Sequence, residues 1–553
     1  MTDDPRVDLV LTGGRIWTGG ERPRPADTLV VADGRIAGLG QAHELRWALP
    51  VADRVIRLEG RVVLPAFQDA SVHPVAAGLA MTRPSLAAAA DPTACRAILA
   101  DWLRTDDSSG WLVGDGWTPS AFPGGIPRAA DLDAVVPDRP AVLLSADGSA
   151  AWVNAAAMEL AGIREDTPDP AAGRIERDGD GQPLGMLVGR AVDLVTDLLP
   201  PPGLDDLADG LLRAQAHLHA LGVGGWRDAA AGPAEEAAYL ALHEHGRLTA
   251  KVALTLAWDE RRWVEQLPEI RARADHLRRT TGGRVRAGSV ALRQDGPVAT
   301  GMAALLDPYL DARGRMTHDR GPSILPPDVL RELVVAIDRA RLGVLLQAHG
   351  DRAVREALDA FTAVRLANGP REGRHAIVGL QLVQSPDLVR FDPLGVVATC
   401  LPRHAVDDVH TRTAIRPLLG LERTSATYPF GSLARNRASL ALGSGWPGAT
   451  ADPRDVLDAA LTRIDPHAPG GKPLGPVSER LKTDAALRAY SRGAAWAARM
   501  DDVTGTLEVG RPADLVVMEG DPLTDTALAW RDTRVLLTVV DGRPVFEASG
   551  LAG

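Results

Sequence analysis

The stretch RVVLPAFQDASVHP, residues 61–74, joins a short apolar run to a group of polar residues at its carboxyl end. The run has the length and composition of a buried strand. Ser71 and His73 are two residues apart, so their side chains would share one face of that strand. A barrel strand that delivers metal ligands normally carries two histidines at this spacing. Here the first of the two positions is serine.

Similar short apolar segments recur through the middle of the chain. Helical patterns such as PPDVLRELVVAIDRARL separate several of them. This alternation predicts an α/β protein with a parallel sheet, and about eight strands over such a length predict a closed (β/α)8 TIM-like barrel. The candidate strands are VVLPAF, GVGGWRDA, GSVALRQDG, GVLLQAHGD, HAIVGLQLV, GVVATCLP and ASLALGSG.

The two ends of the chain have a different pattern. Residues 1–64 and 501–553 contain short alternating strands punctuated by glycine turns, which is typical of hairpins. We expect both ends to build one small composite β-sandwich, rather than two unrelated sheets, with the barrel spanning residues 65–500. A segment from about 85 to 215 interrupts the strand and helix rhythm. It is predicted to be a long insertion after the first barrel strand that caps the barrel mouth.

Composition limits the class of protein. The 553 residues carry a net charge of −11, and no basic block offers a surface for nucleic acid. Cys95 and Cys400 are too few for a disulfide framework. The start MTDDPRVDLVL lacks the features of a signal peptide, and no stretch approaches the roughly 20 apolar residues that span a bilayer. We expect a soluble cytoplasmic protein without nucleic-acid or membrane partners.

A series of short motifs follows a definite order along the chain. It includes LVLTGGRIWTG, LPAFQDASVHP, GWLVGDGW, LRQDG, AHGDRAV, RHAIVGLQLV, LGSGWP and GTLEVGRPADLVVMEGDPL. Each motif alone is weakly specific. Together, their number, spacing and order resemble the amidohydrolase superfamily, specifically the amidohydrolase family 3 branch that includes N-substituted formamide deformylase. The resemblance covers nearly the whole chain and implies, by descent, hydrolysis of non-peptide carbon–nitrogen bonds.

The resemblance also implies a set of metal ligands. Enzymes of the family hold one or two divalent metals at the carboxyl end of the barrel, where the metal generates hydroxide. The ligands are a His-x-His pair on the first strand, a lysine on the fourth, histidines on the fifth and sixth, and an aspartate on the eighth. Four of these six positions have lost their donor here. The matching residues are Ser71, His73, Arg293, His349, Gly379 and Gly445.

Each of the four substitutions removes a metal-binding group. Serine is a poor zinc ligand unless ionised, and glycine has no side chain. Arginine is effectively always protonated, so Arg293 can neither be carboxylated nor coordinate a cation. None of the three lysines is predicted near a barrel-strand end, which disfavours a shifted carboxylated lysine. We therefore predict no metal centre and no cofactor, with His73 and His349 as residual ligand positions.

Candidate site residues follow from the strand ends and from the resemblance. His73, His349 and Asp351 are the catalytic candidates, since free imidazoles can donate, accept or shuttle protons. Ser71 is also a candidate nucleophile beside His73, although the sequence offers no third group to orient the histidine. Asp295 and Asp351 are alternatively predicted to shape loops. The substrate-binding candidates are Ser71, Ser149, Trp152, Arg293, Asp295, Gly379 and Gly445, with Ser149 where the family has histidine.

Three functions are compatible with these residues. The first is a metal-free relative that binds or transforms a small molecule in the barrel mouth. The second is an amidohydrolase acting on small amides with one zinc or other divalent metal, held by His73, His349 and a substitute carboxylate such as Asp69. The third is a noncatalytic regulatory partner, and the family's habit of forming oligomers also makes a homo-oligomer an open expectation.

Overall fold

The computed structural model describes residues 7–21, 25–106, 110–146, 148, 150–170, 173–468, 470–523, 529–549 and 551. The strands, in chain order, are β1 Leu9–Thr12, β2 Arg15–Ile16, β3 Thr28–Ala32, β4 Arg35–Gly40, β5 Val55–Arg57, β6 Val62–Pro65, β7 Phe67–Val72, β8 Leu112–Trp117, β9 Ala141–Ser145, β10 Ala150–Val153, β11 Gly173–Arg177, β12 Pro183–Gly189, β13 Val223–Ala231, β14 Lys251–Ala257, β15 Val285–Arg293, β16 Gly343–Ala348, β17 Ala376–Gly379, β18 Val397–Cys400, β19 Ser439–Leu442, β20 Leu515–Met518, β21 Val535–Val540 and β22 Arg543–Glu547.

The helices alternate with the central strands. Within the described residues, none is long and apolar enough to cross a membrane. The helices, in chain order, are α1 Pro74–Met81, α2 Pro92–Leu103, α3 Ala129–Asp133, α4 Ala155–Leu160, α5 Asp193–Thr196, α6 Leu204–Ala220, α7 Pro233–Glu244, α8 Leu267–Thr280, α9 Pro327–Arg339, α10 Asp351–Asn368, α11 Ser385–Leu388, α12 Phe391–Leu394, α13 Arg416–Ser425, α14 Phe430–Arg435, α15 Pro453–Thr462, α16 Thr483–Arg488 and α17 Ala494–Ala497.

An eight-stranded sheet forms the predicted barrel. Its strand order is β19-β18-β17-β16-β15-β14-β13-β7, and every neighbouring pair is parallel. The α/β fold class and the TIM-like barrel are thereby confirmed. The sequence analysis did not name β14, which is the third barrel strand. Because parallel strands share one direction, all eight carboxyl ends open at the same face, where sites of such barrels lie.

The barrel closes between its first and last strands through one buried carboxylate. Asp69 Oδ1, on β7, accepts hydrogen bonds from the backbone N–H groups of Ser71 and Ser444, both over 3.0 Å. Beyond Asp69, the Gly445 N–H donates to the Ser71 carbonyl, and the His73 N–H donates to the Trp446 carbonyl, each over 2.9 Å. The chain that follows β19 is therefore bonded residue by residue to β7.

Small residues and one arginine fill the inside of the barrel. Apolar contacts there come mostly from alanines, including Ala70, Ala229 and Ala441. Arg227, on β13, is buried among them and donates from Nε to the Ala70 carbonyl over 2.7 Å and from Nη2 to Thr399 Oγ1 over 2.9 Å. Short side chains leave room for this guanidinium, which ties three strands together below the open end.

The predicted composite β-sandwich is confirmed. One sheet, β4-β3-β1-β5, comes from the N-terminal part of the chain, and the other, β2-β6-β20-β21-β22, combines strands from both ends. Leucine and valine side chains of both sheets meet in one core, among them Leu11, Leu29, Val63, Leu515 and Val517. The alternation seen in the sequence produces this core, since every second side chain of a strand faces inward.

A buried ion network joins the barrel to this sandwich. Lys251 Nζ, at the first residue of β14, lies 2.5 Å from Asp514 Oδ2 and 2.8 Å from Asp541 Oδ1, and it donates to the Val503 carbonyl over 3.1 Å. The expectation that no lysine lies near a barrel-strand end is therefore wrong for Lys251. It lies at the amino end of its strand, however, and its ammonium is fully engaged by two carboxylates, so it is no substitute for the missing metal-binding lysine.

The insertion after the first barrel strand is a separate compact unit, residues Val75–Arg213. Its five-stranded sheet has the order β11-β12-β10-β9-β8, with β8 and β9 parallel and the other pairs antiparallel. Two groups of buried side chains, around Trp117 and Trp152 and around Val153 and Leu187, form its core. The cap role of this unit stays a prediction.

Replacement of Lys251 by methionine tests the ion network. We expect Lys251→Met to lower the free energy of unfolding by about 3–5 kcal/mol, because the buried Asp514 carboxylate loses its cation, whereas the half-buried Asp541 keeps Arg284. Lys482→Met is the matched control, since Lys482 is exposed and has no ion pair within the described part of the chain; it should change stability by less than about 0.5 kcal/mol. Denaturant unfolding followed by circular dichroism measures both, and equal stability of the two variants contradicts the assignment.

The closure by Asp69 predicts a pH dependence. Burial raises the pKa of Asp69 to about 6, although its hydrogen bonds oppose the shift. An acid whose pKa is raised on folding stabilises the fold below its unfolded pKa and loses this contribution as the pH rises through the folded value. Relative to Asp69→Asn, which cannot ionise, wild-type stability should therefore fall by about 3 kcal/mol between about pH 4 and 7. Thermal unfolding of both proteins across this range measures it, and a difference that is independent of pH rules it out.

Candidate functional site

A cavity of about 670 Å³ lies at the carboxyl ends of the barrel strands. Each of the eight strands contributes a residue to the cavity wall, either from the carboxyl end of the strand or from the loop that follows it. Six of the predicted site residues line it, namely Ser71, His73, Arg293, His349, Gly379 and Gly445. The sequence therefore identified the strand ends that meet at the barrel mouth, even though these positions are far apart along the chain.

His73 lies beside a buried carboxylate that the sequence analysis missed. Its Nδ1 is 3.9 Å from Asp228 Oδ1, on β13. The other oxygen of Asp228 accepts a hydrogen bond from the Tyr239 hydroxyl over 3.1 Å, and that hydroxyl accepts one from Trp226 Nε1 over 3.0 Å. Burial raises the pKa of Asp228 to about 7 and lowers the pKa of His73. The imidazole is therefore neutral near pH 7, and the Asp228 carboxyl group lies beside it, beyond hydrogen-bond distance.

Ser71 lines the cavity without a base attached to it. Its side chain is buried, and within the described residues its hydroxyl has no hydrogen-bond partner. An activated serine nucleophile needs a hydrogen bond to its base, whereas His73 here faces Asp228. Asp228 is a group that could orient the histidine, but the contact between serine and histidine is missing in this arrangement.

His349 follows β16 and is held as a neutral ring. The Gln347 amide donates from Nε2 to His349 Nε2 over 3.2 Å, which leaves the ring proton on Nδ1. Burial lowers the pKa of His349 to about 4, and the nearby His404 adds to the shift. Burial also lowers the pKa of His404, which lines the cavity after β18. These imidazoles offer uncharged donors and acceptors at pH 7.

Asp295 and Asp351 hold loops in place. Asp295 accepts three backbone hydrogen bonds, from Ala304, His349 and Gly350, over 2.8–2.9 Å. Asp351 accepts from the Leu306 N–H over 2.8 Å and from the Gln384 amide over 2.6 Å. Neither residue lines the cavity. Their contacts are those of the loop-shaping alternative, because each carboxylate is bonded to residues of the surrounding loops.

Two predicted residues belong to the insertion. Trp152 is fully buried in the core of the Val75–Arg213 unit, where it packs edge-on against Phe122 and donates from Nε1 to the Arg128 carbonyl over 2.9 Å. This environment gives Trp152 a packing role within its own unit. Ser149 lies outside the described residues.

The glycines at two of the predicted ligand positions have positive φ angles, which favour glycine. Gly379 has φ +103°, and a Cβ there would lie 2.8 Å from the Ala348 carbonyl oxygen and 3.2 Å from His349 Nδ1. Gly445 has φ +71°. Side chains rarely adopt such φ values, and the first position is also closed to a Cβ by backbone atoms. A side chain at position 379 would therefore strain the backbone and meet the Ala348 carbonyl.

The cavity residues do not fit the family's metal centre. His73, His349 and His404 all line the wall, yet within the described part of the chain no three His, Cys, Asp or Glu side chains come together as a metal-binding group. Catalytic zinc generally needs three protein ligands. Asp69, the carboxylate proposed as a substitute, is instead bonded to the backbone that closes the barrel.

Sequence reasoning missed several wall residues for an identifiable reason. Trp258, Arg261 and Trp263 lie on the loop after β14, the strand that was not recognised. Gln347, on β16, precedes His349 by two residues. Strand periodicity puts their side chains on the same face, so this spacing was a signal that could have identified Gln347. Asp228 carried no comparable signal, because its proximity to His73 arises only when β7 and β13 pair.

Comparisons with known proteins agree with this architecture. Protein LONG AFTER FAR-RED 3 of Arabidopsis thaliana is 28% identical over 98% of this chain and 92% of its own length. N-substituted formamide deformylase of Arthrobacter pascens is 25% identical over 98% of this chain and 99% of its own. The crystal structure of an uncharacterized metal-dependent hydrolase from Pyrococcus furiosus matches with a TM-score of 0.73 and 25% identity, covering 93% of this chain and all of that one.

The family assignment rests on a match along most of the sequence. The model described as "Amidohydrolase family" matches residues 54–546, which include the barrel, the insertion and the part of the composite sandwich from β5 onward. The eight-stranded parallel barrel has the strand order and the open carboxyl face that the resemblance implied. The chain belongs to the amidohydrolase family.

Proposed function

We propose that this protein binds a small molecule in the barrel mouth and acts on it without a metal ion. The observation that carries the proposal is the composition of the cavity wall: among the described residues no three His, Cys, Asp or Glu side chains converge there, and an arginine occupies the fourth-strand position. A fixed guanidinium repels a dication and cannot be neutralised at any physiological pH. By descent, the reaction class is hydrolysis of a non-peptide carbon–nitrogen bond.

Proton transfer is the chemistry that the remaining side chains supply. His73 is neutral near pH 7 and faces the cavity, while Asp228 behind it has a pKa of about 7. A neutral imidazole can take a proton from a bound ligand, and the adjacent carboxyl group can stabilise the resulting cation. We assign His73 as the group that exchanges a proton with the ligand and Asp228 as its positioning residue.

The proposal includes the partner and the location expected from the sequence. A cavity of about 670 Å³ has the size of a small-molecule site. The net charge of −11 gives no support to nucleic acid as a partner. We retain the cytoplasm as the proposed compartment. We also retain a homo-oligomer as the proposed assembly.

Metal content is the direct test of the proposal. We expect protein purified from zinc-supplemented cells to contain far less than one metal ion per chain, because three ligands do not converge. Elemental analysis of the wild type and of His349→Ala measures this, and the two should have the same low content. Stoichiometric metal that disappears together with amide hydrolysis in His349→Ala would overturn the proposal and establish a single-metal amidohydrolase.

Restoring the sixth-strand histidine should not restore a metal site. We expect Gly379→His to destabilise the protein by more than the roughly 1–2 kcal/mol that a left-handed backbone alone costs, because its Cβ also meets the Ala348 carbonyl. Gly60→His is the matched control, with φ +86° and no atom within 4 Å of the added Cβ. Thermal unfolding with and without zinc measures both variants. Stabilisation of Gly379→His by zinc would contradict this reading of the site.

A further inference from the structure

Arg293 is an unpaired cation at the open end of the barrel. It is the last residue of β15, it lines the cavity, and its side chain is exposed there. Within the described residues its guanidinium has no hydrogen bond and no ion pair. Arg286, at the other end of the same strand, is instead held by both oxygens of Asp502 over 2.6 and 2.9 Å. A guanidinium in a concave site without an internal partner is suited to an anion from outside.

We propose that the barrel mouth binds a small apolar monocarboxylate, with Arg293 as the anchor of its carboxylate group. This inference rests on the proposed function, because it names the ligand class of the same cavity. The planar guanidinium matches a carboxylate with two parallel hydrogen bonds, a geometry that a neutral amide cannot reproduce. Arg293 is thus a specificity-determining residue.

The wall residues beside Arg293 are uncharged. Gln347 is its direct partner in the register of β15 and β16, and Val378 is the next in line on β17, so all three occupy one level of the barrel wall. All three line the cavity. His349, two residues beyond Gln347, adds an uncharged ring. Of the wall residues contributed by β15, β16 and β17, Arg293 alone carries a fixed charge.

Apolar side chains elsewhere in the cavity wall favour a ligand with a hydrophobic body. Trp258 and Trp263 line one side of the cavity, and Leu325 and Leu401 line others. Aromatic walls provide large contact areas and stack on planar groups. An aryl or arylalkyl chain attached to the carboxylate would fill the cavity volume of about 670 Å³ better than a small polar acid.

Charges at the rim limit the ligand to one negative group. The loop after β14 places Asp259 and Glu260 on the cavity wall, and both are exposed. The positive charge of Arg261, on the same loop, offsets one of these two negative charges. A second carboxylate on the ligand would meet this net negative rim, so dicarboxylates should bind less well than monocarboxylates.

Matched carboxylate and amide probes test the inference. Phenylacetate and 3-phenylpropionate are compared with phenylacetamide and 3-phenylpropionamide by isothermal titration calorimetry and thermal shift. We expect each acid to bind wild-type protein about tenfold or more tightly than its amide, since a charged hydrogen-bonded pair is formed only with the acid. Arg293→Met should abolish this preference, and Arg293→Lys, which keeps the charge but not the planar fork, should retain part of it.

Arg278→Met is the control variant. Arg278, on α8, is exposed and without an ion pair in the described part of the chain, so its loss changes net charge equally and should leave the preference intact. Equal binding of acid and amide, no binding of any probe, or a preference that survives in Arg293→Met overturns the inference. The wild-type comparison decides alone if Arg293→Met does not fold.

The outcomes separate this inference from the proposed function. Preferential binding of the amides to metal-free protein overturns the carboxylate assignment and leaves metal-free ligand binding in place. Hydrolysis of the amides that depends on stoichiometric metal overturns the proposed function itself. Both readouts come from the same purified chain, so one preparation gives both answers.

Discussion

A single buried carboxylate, Asp69, connects the two ends of the barrel sheet. It accepts backbone hydrogen bonds from Ser71 on the first strand and from Ser444 after the last one. The bonds that follow, from Gly445 to Ser71 and from His73 to Trp446, position three cavity residues at the same time. Closure of the barrel and alignment of the site are thus one set of interactions. These bonds are made by the Asp69 carboxylate and by backbone groups, so the closure does not depend on the side chains at positions 71, 73 and 445.

The fold was predictable because its signals are local and repeated. Short apolar strands, glycine turns and ordered motifs each specify a piece, and their succession specifies the barrel and the composite sandwich. The site was predictable only where a residue stands at a strand end, as His73, Arg293 and His349 do. Asp228 lies near His73 only because β7 pairs with β13. The Trp258–Trp263 loop follows β14, the strand that was not recognised. Trp152 donates from its indole to the Arg128 carbonyl inside the insertion, and its substrate-binding role stays a prediction.

The substitutions at the barrel mouth form a coherent change in electrostatics. The family pattern places anionic and neutral ligands around dications, whereas this wall places a guanidinium beside imidazoles that burial keeps uncharged. Gly379 has no side chain and a backbone angle that a ligand residue would strain. On the proposal made above, Arg293 supplies the positive charge that metal ions supply in the family pattern. The metal-free function and the carboxylate specificity proposed above follow from this same change.

The composite sandwich imposes an order on biosynthesis. Strands β2 and β6 emerge from the ribosome early, yet their sheet is completed by β20, β21 and β22, which are translated after the entire barrel. Until β20 is translated, the edge of β6 that pairs with it has no partner strand. Val63 on β6 also lacks the core contacts that the C-terminal strands provide. A nascent chain therefore carries an unfinished β-edge for most of its translation, and such edges are sites of aggregation. Chaperone protection of this early segment would be needed for as long as the barrel is being made.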